Sequence, residues 1–173
     1  VGRVRLTGVL PALLSLAVPG ACLLFVTVDD ANFDRYQLPK ELWVLALAPL
    51  LALAVARVLT VDAFDALALA TVVLTAASTA VARTPVLSLR LLSLCAASCV
   101  LFVAARRLSP SARSVAWAAC VAGPTLVAAL ALAESFGAVG GLSSAGRAPG
   151  ATLGQRNEVA HLALLASPAA WAL

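Results

Sequence analysis

Charge is the first thing this chain lacks. Only 12% of its 173 residues are charged and 62% are hydrophobic, with a mean hydropathy of +1.02, whereas a soluble domain carries about 25% charge. That balance excludes a soluble globular domain, and it excludes disorder, because so apolar a chain cannot stay solvated. A multispanning membrane protein remains. Histidine occurs once, at His161, so neither a multi-histidine metal site nor a His-rich proton relay can be built. The four cysteines, Cys22, Cys95, Cys99 and Cys120, lie inside apolar runs and match neither a metal-ligand spacing nor a disulfide framework. They are expected to be small buried hydrophobes, and no metal or cofactor is expected. The net charge of +4 is too small to point to nucleic acid. Methionine is absent even at position 1, and the sequence stops at Ala172-Leu173 inside an apolar run. The expectation is therefore a fragment cut at least at its C-terminal end, with a GTG start codon accounting for Val1. Isoleucine is also missing while Ala and Leu abound, a pattern of GC-rich coding with no mechanistic content.

What is present is a series of charge-free stretches of the length needed to cross a bilayer, about 20 residues. Five are complete: Leu6 to Val28, Leu42 to Leu59, Ala63 to Ala82, Val86 to Ala105 and Val115 to Ala133; a sixth starts at about Glu158 and is still apolar at the end. The first is too long for a signal-peptide core. The predicted fold is all-α, a polytopic transmembrane bundle of five complete spans and a truncated sixth, forming one domain over 1–173. Arg57 near the end of the second span can snorkel, and Trp43, Trp117 and Trp171 fit aromatic belts or helix packing.

Most connections are short and make antiparallel hairpins. The exception, 134–157, is rich in Gly, Ser, Ala and Arg, and a loop of that length inside a compact unit is usually functional or disordered. Lys and Arg counts are nearly even on the two sides, so the positive-inside rule alone does not orient the chain. The Arg106 to Arg113 connection, with three arginines and no acid, reads as cytoplasmic. This places the N-terminus inside and the 134–157 loop outside, with Arg147 and Arg156 on the face where basic residues are disfavoured. Their position there points to an anionic ligand.

The stretch from Gly146 to His161, GRAPGATLGQRNEVAH, is a Gly-rich turn running into an apolar helix. Thr152 and Gln155 have capping-box spacing and Asn157 is placed as an N-cap. The free N–H groups and positive dipole end of such a helix favour an anion, and Arg156 adds a fork of donors suited to phosphate. A phosphate-bearing ligand at the membrane surface fits; the plainer alternative is that Gly150 and Gly154 form a turn while Arg156 pairs with Glu158 or with lipid phosphates.

The run Gly150-Ala-Thr-Leu-Gly-Gln-Arg-Asn-Glu-Val-Ala-His-Leu, followed by Ser167-Pro168, resembles the GT(F/L)GNxN..A..L...P signature of the O-antigen ligase and O-antigen polymerase superfamily. Phe33 to Glu41 resembles that family's F..PK approach to the second span, and Ala133-Glu-Ser-Phe-Gly137 the end of its fifth. The chain departs at Gln155, where the family more often has Asn. The resemblance implies the N-terminal half of a GT-C-type glycosyltransferase in a bacterial inner membrane, with 134–157 periplasmic. Such enzymes pass a glycan from an undecaprenyl-pyrophosphate carrier to lipid A core or to a growing polysaccharide, without a metal. By that resemblance Arg156 neutralises the carrier pyrophosphate, Arg147 is a weaker second candidate, and Thr152, Gly154 and Asn157 complete the binding segment. The resemblance also places the catalytic base beyond Leu173, so this chain alone is expected to be inactive.

Other polar residues carry lesser readings. His161, three residues after Glu158, is a general-base candidate or a packed interfacial histidine. Glu134 either orients an acceptor hydroxyl or is a solvated span boundary. Asp29, Asp30 and Asp34 form a cation cluster or a solvated loop, and Lys40-Glu41 marks the headgroup level. The competing functions are a transporter subunit for a solute such as bicarbonate, and a noncatalytic membrane scaffold. Ion-coupled transporters place ionisable groups inside the membrane; here charges cluster at the span ends, although helices broken at Pro11, Pro19, Pro49 or Pro124 would supply a site.

Overall fold

The structure, a computed structural model, describes residues 9–24, 36–56, 61–139, 142, 151–153 and 156–171, the side chains of 9, 156, 165 and 168–171 excepted. It is all-α: α1 (Val9–Leu23), α2 (Gln37–Ala56), α3 (Ala63–Ala80), α4 (Pro85–Arg106), α5 (Pro110–Ser135), a single 3-10 turn (Ala151–Leu153) and α6 (Arg156–Trp171). Four of these, α2 to α5, are long and apolar enough to cross a membrane, and α1 is a shorter apolar helix. The protein is a multi-pass membrane protein.

The helices are longer than the charge-free windows at several ends. α2 begins at Gln37 rather than Leu42, and α5 at Pro110 rather than Val115. A window without charge marks hydrocarbon, whereas the helix continues as far as its backbone hydrogen bonds can be made, so Lys40 and Glu41 fall within α2 and Arg113 within α5. Proline positions fit this. Pro85 and Pro110 are first residues of their helices, where no N–H is needed. Pro19, Pro49 and Pro124 lie inside continuous helices, so no helix is broken there.

Two compact units divide the chain, one of Val1–Leu14 with Val44–Ser109 and one of Ser15–Trp43 with Pro110–Leu173. In the first, α3 and α4 pack as an antiparallel hairpin. Its register is read from cross-helix pairs: Thr79 Oγ1 donates to Ser88 O at 3.5 Å, Thr75 and Cys95 meet at 3.6 Å, and Cys99 Sγ donates to Ala68 O at 3.4 Å. Thr71, Thr75 and Thr79 also return their hydroxyls to carbonyls one turn back, which keeps them satisfied without water. The cysteine expectation is corrected in part. All four are free thiols, but only Cys22 is fully buried; Cys95 and Cys99 are half-buried because they serve as small polar contacts across the hairpin.

The second unit is built around Cys22, Val127, Ala131 and Ala151, with Val18, Leu130, Val159 and Leu162 against them. Two glycines set its close approaches. A Cβ on Gly123 would press on Pro19 and Cys22 of α1, and one on Gly20 would overlap the Trp43 indole. Trp43 lies on α1 and donates Nε1 to Leu16 O at 3.3 Å, so it serves helix packing.

Candidate functional site

The segment singled out from the sequence begins where α5 ends. Gly137 takes a left-handed φ of +70°. Its N–H bonds Glu134 O at 3.1 Å, and the N–H of Ala138 bonds Ala133 O at 2.9 Å. This pair of bonds is a Schellman stop. It leaves Glu134 in the last turn, half-buried, with Oε2 accepting the Ala151 N–H at 2.9 Å. Glu134 is thus not simply a solvated boundary; its Oε2 holds the turn before α6.

That turn is fastened from two further directions. Thr152, only 3% exposed, donates Oγ1 to Cys22 O of α1 at 2.6 Å. Lys40 Nζ, in the first turn of α2, donates to Thr152 O at 2.7 Å, to Leu24 O at 2.6 Å and to Tyr36 O at 2.9 Å. Tyr36 hydroxyl reaches Leu142 O at 2.8 Å, tying the start of α2 to the connection after α5. Ala151 is fully buried at φ +44°, a left-handed backbone that costs an L-residue about 1–2 kcal/mol. Such strain persists where the surroundings over-determine it, and here Glu134, Cys22 and Lys40 do so.

The sequence-predicted residues distribute unevenly over this junction. Thr152 is at its centre, but its hydroxyl is spent on α1, so it positions the segment rather than facing a ligand. Asn157 is exposed and is corrected as an N-cap: α6 starts at Arg156, which puts Asn157 inside the first turn. Arg156 opens α6 with its backbone, and its side chain lies outside the described residues, as do Arg147, Gly154, Gln155 and the Asp29, Asp30 and Asp34 group. Glu158 adds an acid to the first turn of α6, and His161 is exposed one turn on. Among the described residues no group of His, Cys, Asp and Glu could hold a metal.

The sequence reads Lys40 only as a marker of the headgroup level, not as the residue that fastens the turn. It is the only lysine in the chain and stands at the N-terminal end of a helix, where the dipole disfavours a cation. That misplacement was the available signal of a dedicated partner.

A second polar cluster was also missed, in the other unit. Asp62 caps α3, accepting from the N–H groups of Phe64 and Asp65 at 2.9 and 3.0 Å, while Asp65 accepts from Asp62 N–H at 3.2 Å, a capping box. Arg106 forks onto both acids, with Nη2 2.6 Å from Asp62 and Nη1 2.9 Å from Asp65. Arg107 also donates to Asp65, whose side chain is 6% exposed. Arg106 further lies over the Phe64 ring at 4.8 Å. The bond from Arg106, with those from the Asp65 and Phe64 N–H groups, holds the Asp62 carboxyl far below the usual carboxylate range. Two of the three arginines that read as a basic loop are therefore ion-paired to the start of α3.

Comparison with protein-family models, with curated proteins and with solved structures found no match.

Proposed function

We propose that this chain is the membrane-embedded N-terminal part of a glycosyltransferase that takes a glycan from an undecaprenyl-pyrophosphate carrier and passes it to lipid A core or to a growing polysaccharide. The carrying observation is the fastening of the Ala151–Leu153 turn by Thr152, Lys40 and Glu134, which fixes where α6 begins. The run from Gly150 to Leu162, which takes in this turn and the first half of α6, is the one that resembles the O-antigen ligase and polymerase signature.

A helix start offers free N–H groups and a positive dipole end to an anion. Arg156 stands at the first position of α6, and an arginine there adds a charge-assisted fork for a pyrophosphate. A held donor set need not reorganise as charge develops on the departing pyrophosphate, and this is how such groups lower a barrier. Glu134 and Lys40 act at one remove, through the turn. The acceptor-activating base belongs, in this reading, to a part of the protein beyond Leu173, in a periplasmic loop of the inner-membrane enzyme.

The competing transporter reading draws less support. The helices run unbroken through Pro19, Pro49 and Pro124, and the paired acids and arginines sit at helix ends. The decisive assay is transfer from an undecaprenyl-pyrophosphate-linked glycan by the complete reading frame. Arg156→Ala is expected to lower kcat about 10²-fold, the scale of losing one charge-stabilising donor, and Arg147→Ala by less. Unchanged transfer in Arg156→Ala, or solute flux by the protein in vesicles without transfer, overturns the reading.

A further inference from the structure

The helix that follows the fastened turn, α6, folds back along α5. Val159 and Leu162 pack with Val127, Leu130 and Ala131, so α6 leaves the turn and returns toward the middle of α5. Those contacts fix which way its other side faces. Asn157, Ala160, His161 and Leu164 fall opposite them at helical spacing, and all four are exposed. Among the described residues neither the Asn157 nor the His161 side chain has a hydrogen-bond or ion-pair partner. Of the four, only His161 is titratable, and it is the one histidine in the chain.

An imidazole on the open side of such a helix is not spent on the fold, and an ionisable residue entering the membrane marks a ligand path by default. The elements packed on α6 are α5 and the 3-10 turn. The charged groups brought to this end are Glu134, whose Oε2 accepts the Ala151 N–H, and Lys40, whose Nζ is on Thr152 O. On α6 itself Glu158 precedes His161 by one turn. His161 stands five residues after Arg156, a rise of about 7.5 Å, and a helical side chain leans back toward the N-terminus of its helix. The imidazole therefore covers the turn that begins at Asn157, one step inward from the helix start. A carrier tethered by a polyprenyl chain presents two phosphates in a fixed order of depth: the one esterified to the polyprenol lies deeper than the one bearing the glycan. Arg156 and His161 are stacked along α6 in the same order.

We infer that His161 is a binding residue for the polyprenol-linked phosphate of the carrier, its imidazole donating to that phosphate while the helix start and Arg156 take the glycan-bearing one. The inference rests on the transferase reading and deepens it. Imidazole changes charge between about pH 5 and 8, and its charged form donates the stronger bond to a phosphate. Carrier binding through His161 therefore weakens as the pH rises.

The test is lipid binding by the complete reading frame in nanodiscs of phosphatidylethanolamine and phosphatidylglycerol, with undecaprenyl pyrophosphate and undecaprenyl monophosphate as the probes. At about pH 6, His161→Gln is expected to weaken both about 10-fold, and at about pH 8.5 by less than about 2-fold. Arg156→Ala is expected to weaken the pyrophosphate and to leave the monophosphate within about 2-fold. His161→Lys, which stays charged at both pH values, should restore binding at both. In transfer assays His161→Gln is expected to raise KM and to leave kcat within about 2-fold, because the deeper phosphate gains little charge as the glycan departs. Binding that depends on Arg156 but not on His161, or displacement of the monophosphate probe by phosphatidylglycerol on equal terms, overturns this inference and leaves the transferase reading in place. Binding indifferent to both residues, with no transfer, overturns the transferase reading and this inference with it.

Discussion

Lys40 concentrates more of the second unit than any other side chain described. One ammonium satisfies three carbonyls from α1, the start of α2 and the turn before α6, and hydrogen bonds to a charged donor are worth about 1.5–3 kcal/mol each. Because the three share one nitrogen they do not add. Lys40→Met is expected to lower the unfolding free energy by about 2–3 kcal/mol, measured by denaturant titration in mixed micelles. Lys40→Arg should recover less than half of the loss, since a flat guanidinium spreads its donors in a plane and cannot converge on three carbonyls from one point. This part of the site was illegible in the sequence for a physical reason. The acceptors are backbone carbonyls, which every residue owns, so the pairing of Lys40 with Thr152, or of Thr152 with Cys22, leaves no signature in residue type. Glu134 is a similar case: its partner is the Ala151 N–H, and only the fold brings the two together.

At the level of elements, the α1–α2 contact and the α3–α4 hairpin make different demands. Gly20 exists to admit the Trp43 ring. Gly20→Ala is expected to destabilise by about 1–3 kcal/mol through overpacking, and Trp43→Ala in the same chain should remove most of that penalty, so a double-mutant cycle gives a coupling of opposite sign to the single effect. The hairpin is instead pinned by charge at one end. Asp62 has a carboxyl held below its ordinary value of 3.8, so its contribution is complete above that pH and is lost only as the medium falls through the lower, folded-state value. Unfolding midpoints should therefore stay level from pH 7 to about 5 and drop below pH 4, with the acid limb shallower in Asp62→Asn. The helices themselves were legible because an apolar stretch of bilayer length has one stable solution. Their ends were less so: α2 and α5 start about a turn earlier than their charge-free windows, since exclusion of charge and satisfaction of backbone groups stop at different places. The pairing of Asp62 and Asp65 with Arg106 and Arg107 was within reach, because an antiparallel hairpin must bring the start of one helix to the end of the other.

For the molecule as a whole, α5 begins three residues after Arg107 and ends beside Glu134. Its 26 residues rise about 39 Å, enough to carry the chain through a core of roughly 30 Å. The proposed orientation puts 134–157 outside. In a background with the four native cysteines replaced by alanine, an impermeant maleimide is expected to label Ser144→Cys in intact cells and Ser109→Cys only after permeabilisation; the reverse pattern would invert the topology and remove the periplasmic carrier from the α6 junction. A last consequence attaches to the chain having a single side-chain amine. An amine bound to three carbonyls cannot be acylated until the bonds part, so the rate at which an activated ester modifies Lys40 measures how often the junction opens, in the manner of hydrogen exchange. The protein carries its own gauge of readiness, legible by peptide mapping, and a carrier pyrophosphate that settles on α6 should slow that reaction in proportion to its occupancy.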